Sequence, residues 1–404
     1  MISSFAWRNL WRNKLRSIVI ITAVTLGIFA GIFLISFMNG MLNARIQSIV
    51  GTEMSHIQIH KPGFLDNDQF TLQIQNADSV LDIVKATPNV IAASKRVVIN
   101  SMVATAETGT GVKITGIDPE DEKKVTQISS KVFEGKYLDE SGKNSVVISE
   151  RLATKLKVGL KNKIIITVQD VNNNITGGAF RVVGIYRTDN LMFDDNNIFV
   201  RNSDIYRLTG LSVTAAHEIA VMLNKNDNAE ATAGILALKF PGLEVKDWQQ
   251  LSPEASYLVS AMNQYMFIFL FIILLALSFG IVNTMLMVIL ERVHELGMLM
   301  AIGMNRVRVF FMIMLETVFL SLTGGVLGII IGYAVSRYLG KVGIDLYFWK
   351  EAFGELGYST MVYTDIDSKT MILTSVMVII AGIISSLYPA YKALKLNPSE
   401  AIRS

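Results

Sequence analysis

His56 and His60 lie four apart, a spacing that would suit a metal ion on a helix. The stretch His56-Ile57-Gln58-Ile59-His60 alternates like a strand, however, and on a strand that offset separates the two rings by about 13 Å. Two imidazoles so far apart cannot share an ion, so structural or solvent-facing roles are expected for both. The acidic clusters Asp118-Pro119-Glu120-Asp121-Glu122 and Asp194-Asp195 read as solvated loops or helix N-termini in preference to a Ca²⁺ site. His217-Glu218 lacks the second histidine of a zincin helix. There is no Gly-x-Ser-x-Gly and no recognisable Ser/His/Asp arrangement. The absence of cysteine removes thiol nucleophiles, thiolate metal sites and disulfides. No Gly-x-x-x-x-Gly-Lys-Ser/Thr occurs either, so the sequence shows no phosphate-binding loop. Catalytic residues: none; metal ligands: none; no cofactor is assigned to this chain.

The remaining chemistry is charge set against apolar sequence. The 404 residues are 51% hydrophobic, with a mean hydropathy of +0.42, which points to a membrane protein with a large polar part. A net charge of +3, with no basic cluster interleaved with aromatics, argues against a nucleic-acid partner. Four segments are long and apolar enough to cross a bilayer: 18–40, 265–290, 309–336 and 370–388. The first reads as a retained anchor, because its apolar core is too long for a signal peptide and no small-x-small cleavage site follows. Basic residues flank the spans at Arg8, Arg12, Lys14 and Arg16, at Arg292, Arg306 and Arg308, and at Lys392, Lys395 and Arg403. With four crossings these three flanks share one side, and the positive-inside rule makes it the cytoplasm. The connector 291–308 and the tail 389–404 are then cytoplasmic, while 41–264 and the loop 337–369 lie outside.

Two features inside the spans follow from lipid as solvent. Glu316 is a carboxylate in the third span, and pairing with a cation such as Arg12 or Arg292 is its expected state. Gly324, Gly328 and Gly332 are spaced four apart, a small-residue stripe for close helix–helix packing. Before the first span, Trp7 and Trp11 share one face of a short basic helix with Arg8 and Arg12 beside them, the pattern of an amphipathic helix in the membrane interface, either an anchor flank alone or a lateral elbow that fixes the first span against its neighbours.

Between the first two spans no long apolar run occurs. Strand-like pieces at 56–60, 163–168, 180–186 and 197–200 alternate with helical pieces at 77–84 and 149–156. The predicted fold is therefore an α-helical membrane protein with four transmembrane helices, plus a large α+β extracytoplasmic domain between helices 1 and 2. One mostly-β lobe is expected at about 111–188, with the flanking parts pairing to make the other.

The connector Glu291-Arg292-x-x-Glu295-Leu296-Gly297-x-Leu299-x-Ala301-Ile302-Gly303 resembles the signature of the FtsX/MacB/LolCE superfamily of ABC permeases. Ala6-Trp7-Arg8-Asn9-Leu10 is similar to that family's N-terminal elbow, and Tyr388-Pro389-Ala390 with Leu396-Asn397-Pro398 to its C-terminal ending. One departure is Met300, where many members carry Arg or Lys. The order Gly116-Ile117-Asp118-Pro119, Val147-Ile148-Ser149-Glu150, Leu156-x-Val158-Gly159 and Val182-Val183-Gly184-Ile185-Tyr186 is similar to the LolC/LolE lipoprotein-releasing permeases.

The resemblance implies a MacB-like periplasmic domain with Porter-like and Sabre-like lobes, in a bacterial inner membrane with both termini cytoplasmic. It implies a permease without ATPase activity of its own. A separate LolD-like ATPase subunit would bind ATP and Mg²⁺ and dock on a short coupling helix. There Glu291, Arg292 and Glu295 would make charged contacts, Leu296, Leu299 and Ile302 would fill an apolar cleft, and Gly297 and Gly303 would permit close approach or a turn, with Ala301 also among the coupling residues. A second permease copy or a paralogue would complete the transporter. A periplasmic lipoprotein chaperone would meet the turn around Asn172, Asn173 and Asn174. The implied function is extraction of lipoproteins from the inner membrane; the alternatives are MacB-like efflux of peptides or other amphipathic substrates and an FtsX-like scaffold signalling to a cell-wall hydrolase.

Overall fold

In the computed structural model the described residues are 14–67, 69–139 and 142–394. They divide into two compact units. A helical unit takes the chain to Asn43, Val259–Asp345 and Met361 onward, and a sheet unit takes Ala44–Leu258 and Leu346–Thr360.

The helical unit is built on α1 (Lys14–Ser48), α2 (Pro253–Glu291), the short α3 (Val293–Ala301), α4 (Arg306–Val342) and α5 (Ser368–Leu394). The helices α1, α2, α4 and α5 are each long and apolar enough to cross a membrane. Lipid offers no hydrogen-bond partners, and a helix satisfies its own backbone. All four outrun the predicted spans, because hydropathy marks the apolar stretch whereas caps end the helix. For α4 the cap is Asn305, whose side chain accepts from the Val307 amide at 3.1 Å. The helix α5 continues through Pro389 to Leu394, so part of the predicted tail is helical.

Ile20, Val24, Ile28 and Ile32 form one buried stripe along α1. They share a core with Leu270 and Met285 of α2, Met312 and Leu320 of α4, and Val378 and Ala381 of α5. Opposite the α1 stripe lie the α4 glycines. A Cβ at Gly328 would stand 2.8 Å from both Ile28 Cβ and the Thr25 carbonyl oxygen, and one at Gly324 would stand 2.8 Å from Val24 Cβ. Thr25 Oγ1 donates to the Gly324 carbonyl at 3.1 Å across the same contact.

The sheet unit contains β1 (Ile57–His60), β2 (Val90–Ala104), β3 (Gly109–Ile117), β4 (Val132–Gly135), β5 (Ser145–Ser149), β6 (Lys163–Gln169), β7 (Ile175–Tyr186), β8 (Asn197–Arg201), β9 (Glu218–Leu223) and β10 (Glu244–Asp247). Their order is β10-β1-β9-β2-β3-β8-β5-β7-β4, with β6 pairing β2 and β7. The long β2 is the spine. Its first half pairs β9 antiparallel, its second half pairs β3, and Met102–Ala104 also pair β6. Val97, Ile114, Val146, Ile164, Phe180 and Ile198 meet in the main core of this unit.

The expected 111–188 lobe is not a contiguous stretch. The strand β8, from beyond it, lies between β3 and β5, parallel to the first and antiparallel to the second. The expected loop 337–369 is divided as well. Ile344–Asp345 and Met361–Val362 pair as a short antiparallel ribbon in the helical unit, whereas Leu346–Thr360 belongs to the sheet unit.

Candidate coupling site

The connector between α2 and α4 folds as a helix of its own. Arg292 leaves helical geometry at φ −107°, ψ 14°, which breaks α2 from α3. Gly303 ends α3 at φ +102°, a conformation in which a side chain is strained, and Asn305 then starts α4. The glycine is needed here for its backbone: nothing lies within 4 Å of where its Cβ would be.

Arg292 ties the connector down. Its Nε donates to Glu295 at 3.1 Å and its Nη1 to Glu316 at 3.2 Å. Glu316 is buried in α4 and Arg292, one of its two expected cations, faces it; Arg12 lies outside the described residues. A guanidinium suits this position because its planar fork can serve two carboxylates at once.

Helical periodicity then decides which side chains face outward, and two of the implied contacts change. Leu296 and Gly297 are buried, and Leu299, Met300 and Met304 are half-buried against the helical core. Leu296 packs into the core of its own chain, and Arg292 pairs with Glu295 and Glu316 of its own chain. The outward face carries His294, Met298, Ala301 and Ile302, with Glu291 exposed just before it. Ile302 is 83% exposed. His294 and Met298 were not singled out from sequence, although projecting a 3.6-residue period from Leu296 places them there. Met300, the departure from the family pattern, packs inward as an apolar residue.

The other predicted residues lie elsewhere. Trp7, Arg8, Trp11 and Arg12 of the elbow, and Leu396 to Arg403 of the ending, fall outside the described residues. Asn172, Asn173 and Asn174 form the tip between β6 and β7. There Asp170 Oδ1 accepts from the Asn172 and Asn174 amides at 2.8 Å each, and Asn173 takes φ +61°. This tip is exposed, as are its apolar neighbours Val171 and Ile175.

The histidines of the sheet unit are structural. His56 Nδ1 accepts from the Leu223 amide at 3.1 Å, and burial pushes its pKa down to about 4. His60 and His217 both stack with Phe64, at 5.3 and 5.4 Å between ring centroids. Glu218 is buried with Glu122 around Arg96, each at 2.6 Å. Glu122 thus departs from the solvated role expected of its cluster. Asp118, in contrast, caps the helix Pro119–Val125 by accepting from the Glu120 amide. Asp194 is buried too, accepting from Thr188 at 2.8 Å, and burial raises its pKa to about 6. Among the described residues no group of three His, Asp or Glu side chains is placed to hold a metal ion.

Four apolar helices, a connector helix and a strand-rich unit inserted after the first helix define a membrane permease with a large non-membrane domain. Residues 17–237 match the MacB-like periplasmic core domain and residues 267–398 the FtsX-like permease C-terminal region. The chain belongs to the FtsX/MacB/LolCE superfamily of ABC transporter permeases. It is 24% identical over 84% of its length, and 83% of the relative's, to the lipoprotein-releasing system transmembrane protein LolC of Neisseria meningitidis. It is 28% identical to the macrolide export ATP-binding/permease protein MacB of Escherichia coli, over 55% of this chain and 33% of that one. The crystal structure of the periplasmic region of MacB from Actinobacillus actinomycetemcomitans aligns over 52% of this chain and 94% of its own, with 13% identity and a TM-score of 0.36.

Proposed function

We propose that this permease subunit converts ATP binding and hydrolysis by a separate LolD-like ATPase into movement of its sheet unit. In that reading it extracts lipoproteins from the outer leaflet of a bacterial inner membrane and passes them to a periplasmic chaperone. ATP and Mg²⁺ are held by the ATPase, both termini are cytoplasmic, and a second permease copy or a paralogue completes the assembly. The observation that carries the coupling is the independent connector helix α3, pinned on one face by Arg292 and Leu296 and exposed on the other. A load on that face acts on two long helices at once, a rigid-body route for transmitting motion. The helices α1 and α2 each run through residues of both units, which supports a covalent path to the sheet unit. The lipoprotein cargo is supported by the likeness to LolC along most of the chain.

Ile302→Glu is the cleanest probe of the docking face, because Ile302 is largely exposed. It should leave the fold and membrane insertion unchanged while weakening co-purification with the ATPase about tenfold or more. Glu295→Lys should do the same, with some loss of the Arg292 pair. Unchanged ATPase association for both variants would overturn the docking assignment. The cargo is tested in proteoliposomes holding permease, ATPase and a fluorescent lipoprotein. ATP-dependent release to the chaperone is expected. No release with the chaperone present would reject lipoprotein extraction, and ATP-driven efflux of a peptide without a chaperone would favour the MacB-like alternative.

A further inference from the structure

Neither coupling nor cargo accounts for the aromatic run Tyr347-Phe348-Trp349. It forms a single 3-10 turn leading into the helix Lys350–Glu355. Phe348 is 90% exposed, Tyr347 66% and Trp349 57%. Three consecutive large rings held in water are unfavourable, since apolar area gains by leaving it.

The run is also held in place. Behind it, Gly354 lies against Leu191 so closely that a Cβ would stand 2.7 Å from Leu191 Cγ. Phe353 meets Tyr358 edge to face at 6.3 Å between centroids, and Arg45 donates to the Gly357 carbonyl at 3.2 Å. At the tip, Phe348 and Trp349 meet edge to face at 5.5 Å, and Lys350 Nζ lies 5.5 Å from the Tyr347 ring centroid. The segment is therefore a supported projection with an apolar end.

Chain connection narrows what covers that end. The turn follows a few residues after α4 ends at Val342, and the chain re-enters a long apolar helix at α5. The flanking residues Tyr338 and Tyr363 are exposed aromatics as well. Tyr and Trp concentrate where bilayer meets water, because their rings are apolar and their edges polar. Charge narrows it further. Lys350 is followed by the exposed Glu351 and Glu355, so the segment has no cationic excess to seek anionic headgroups.

We propose that Tyr347–Trp349 is an interfacial foot, inserting Phe348 and Trp349 into the headgroup region of the bilayer that α4 and α5 cross. The driving force is ring burial, so insertion is insensitive to salt and to anionic lipid. The foot fixes the segment packed on Leu191 at the lipid surface. This role stands apart from the identity of the cargo.

The chain has no cysteine, so single spin labels can be placed in the whole protein. Phe348→Cys marks the foot, and Leu238→Cys, at an 86% exposed position on the helix Ala229–Lys239, marks an exposed surface on another element of the sheet unit. In phosphatidylcholine nanodiscs the ratio of collision with oxygen to collision with a water-soluble nickel chelate should be several-fold higher at 348 than at 238. The ratio should be the same with phosphatidylglycerol added and at high salt. Because Phe348→Cys removes one ring of the foot, Trp349 provides a second measurement: brominated lipid should quench wild-type fluorescence more than that of Trp349→Phe. Equal ratios at the two labels together with equal quenching of the two proteins would overturn the proposal. Shielding of the 348 label from both reagents, or its broadening by a second label, would show a protein interface instead. Insertion only with anionic lipid would overturn the ring-burial mechanism.

Discussion

Arg292 faces two carboxylates, Glu295 at 3.1 Å and Glu316 at 3.2 Å, and the two partners differ in setting. Glu295 is partly exposed, and solvent screens its share of the interaction. Glu316 is buried on α4 beside Met312, Ile313 and Leu320, where solvent screens the pair far less. Removing the Glu316 charge takes the buried partner from Arg292 and leaves it the screened Glu295. Glu316→Gln should therefore cost about 3 kcal/mol in the stability of the helical unit. Thermal unfolding in detergent would measure it, and hydrogen exchange across α3 should rise in parallel, since Arg292 is the anchor at its start. An unchanged melting temperature would mean that water has access to the pair. The exposed pair of Arg187 with Glu150 is the contrast: its loss should barely register.

At the scale of elements, glycine has opposite effects in two helices. In α4, Gly328 lies against α1, and an added methyl group would press on Ile28 and on the Thr25 carbonyl. Gly328→Ala should destabilise by roughly 1–3 kcal/mol through overpacking, despite the better helix propensity of alanine. In the helix Ala229–Lys239, nothing lies within 4 Å of a Cβ at Gly234. Gly234→Ala should stabilise by about 1 kcal/mol, the propensity difference alone. Melting of the two variants side by side separates packing from propensity; a stabilised Gly328→Ala would show that α1 and α4 are not in tight contact. The connector helix follows the same logic. Its ends were marked by Arg292 and Gly303, but its inward face was set by the core that Leu296 joins.

At the scale of the whole molecule, the chain carries separate cores. One gathers Val24, Ile28, Met285, Met312 and Val378 of the helices, and another gathers Val97, Ile114, Val146 and Phe180 of the sheet. Separate cores unfold as separate cooperative units. Heating the protein in nanodiscs should give two transitions, with sheet signal lost in one and helical signal in the other when followed by far-ultraviolet circular dichroism. A single coincident transition would show that the units stabilise each other strongly.

Much of this was legible in the sequence. Apolar length and basic flanks are local properties, so the four long helices could be placed without any contact information. So could the strand-like pieces and the helices at 77–84 and 149–156, the second capped by Ser149, because alternation and helical spacing lie within a few positions. The signature from Glu291 to Gly303 sufficed to point to an ABC permease family. Long-range pairing decided the rest. Sequence could not say that Arg292 and Glu316, on different helices, would meet, and folding brought them together. It read Leu296 and Ile302 as one apolar set, and the bundle buried the first while leaving the second exposed. It gave one lobe a contiguous span, whereas β8 entered between β3 and β5, and β2 joined both halves of the sheet. The segment Leu346–Thr360 likewise joined the sheet unit from between two membrane-length helices. In each case the decisive partner lies far away in sequence, where periodicity and composition carry no information about which residues will meet.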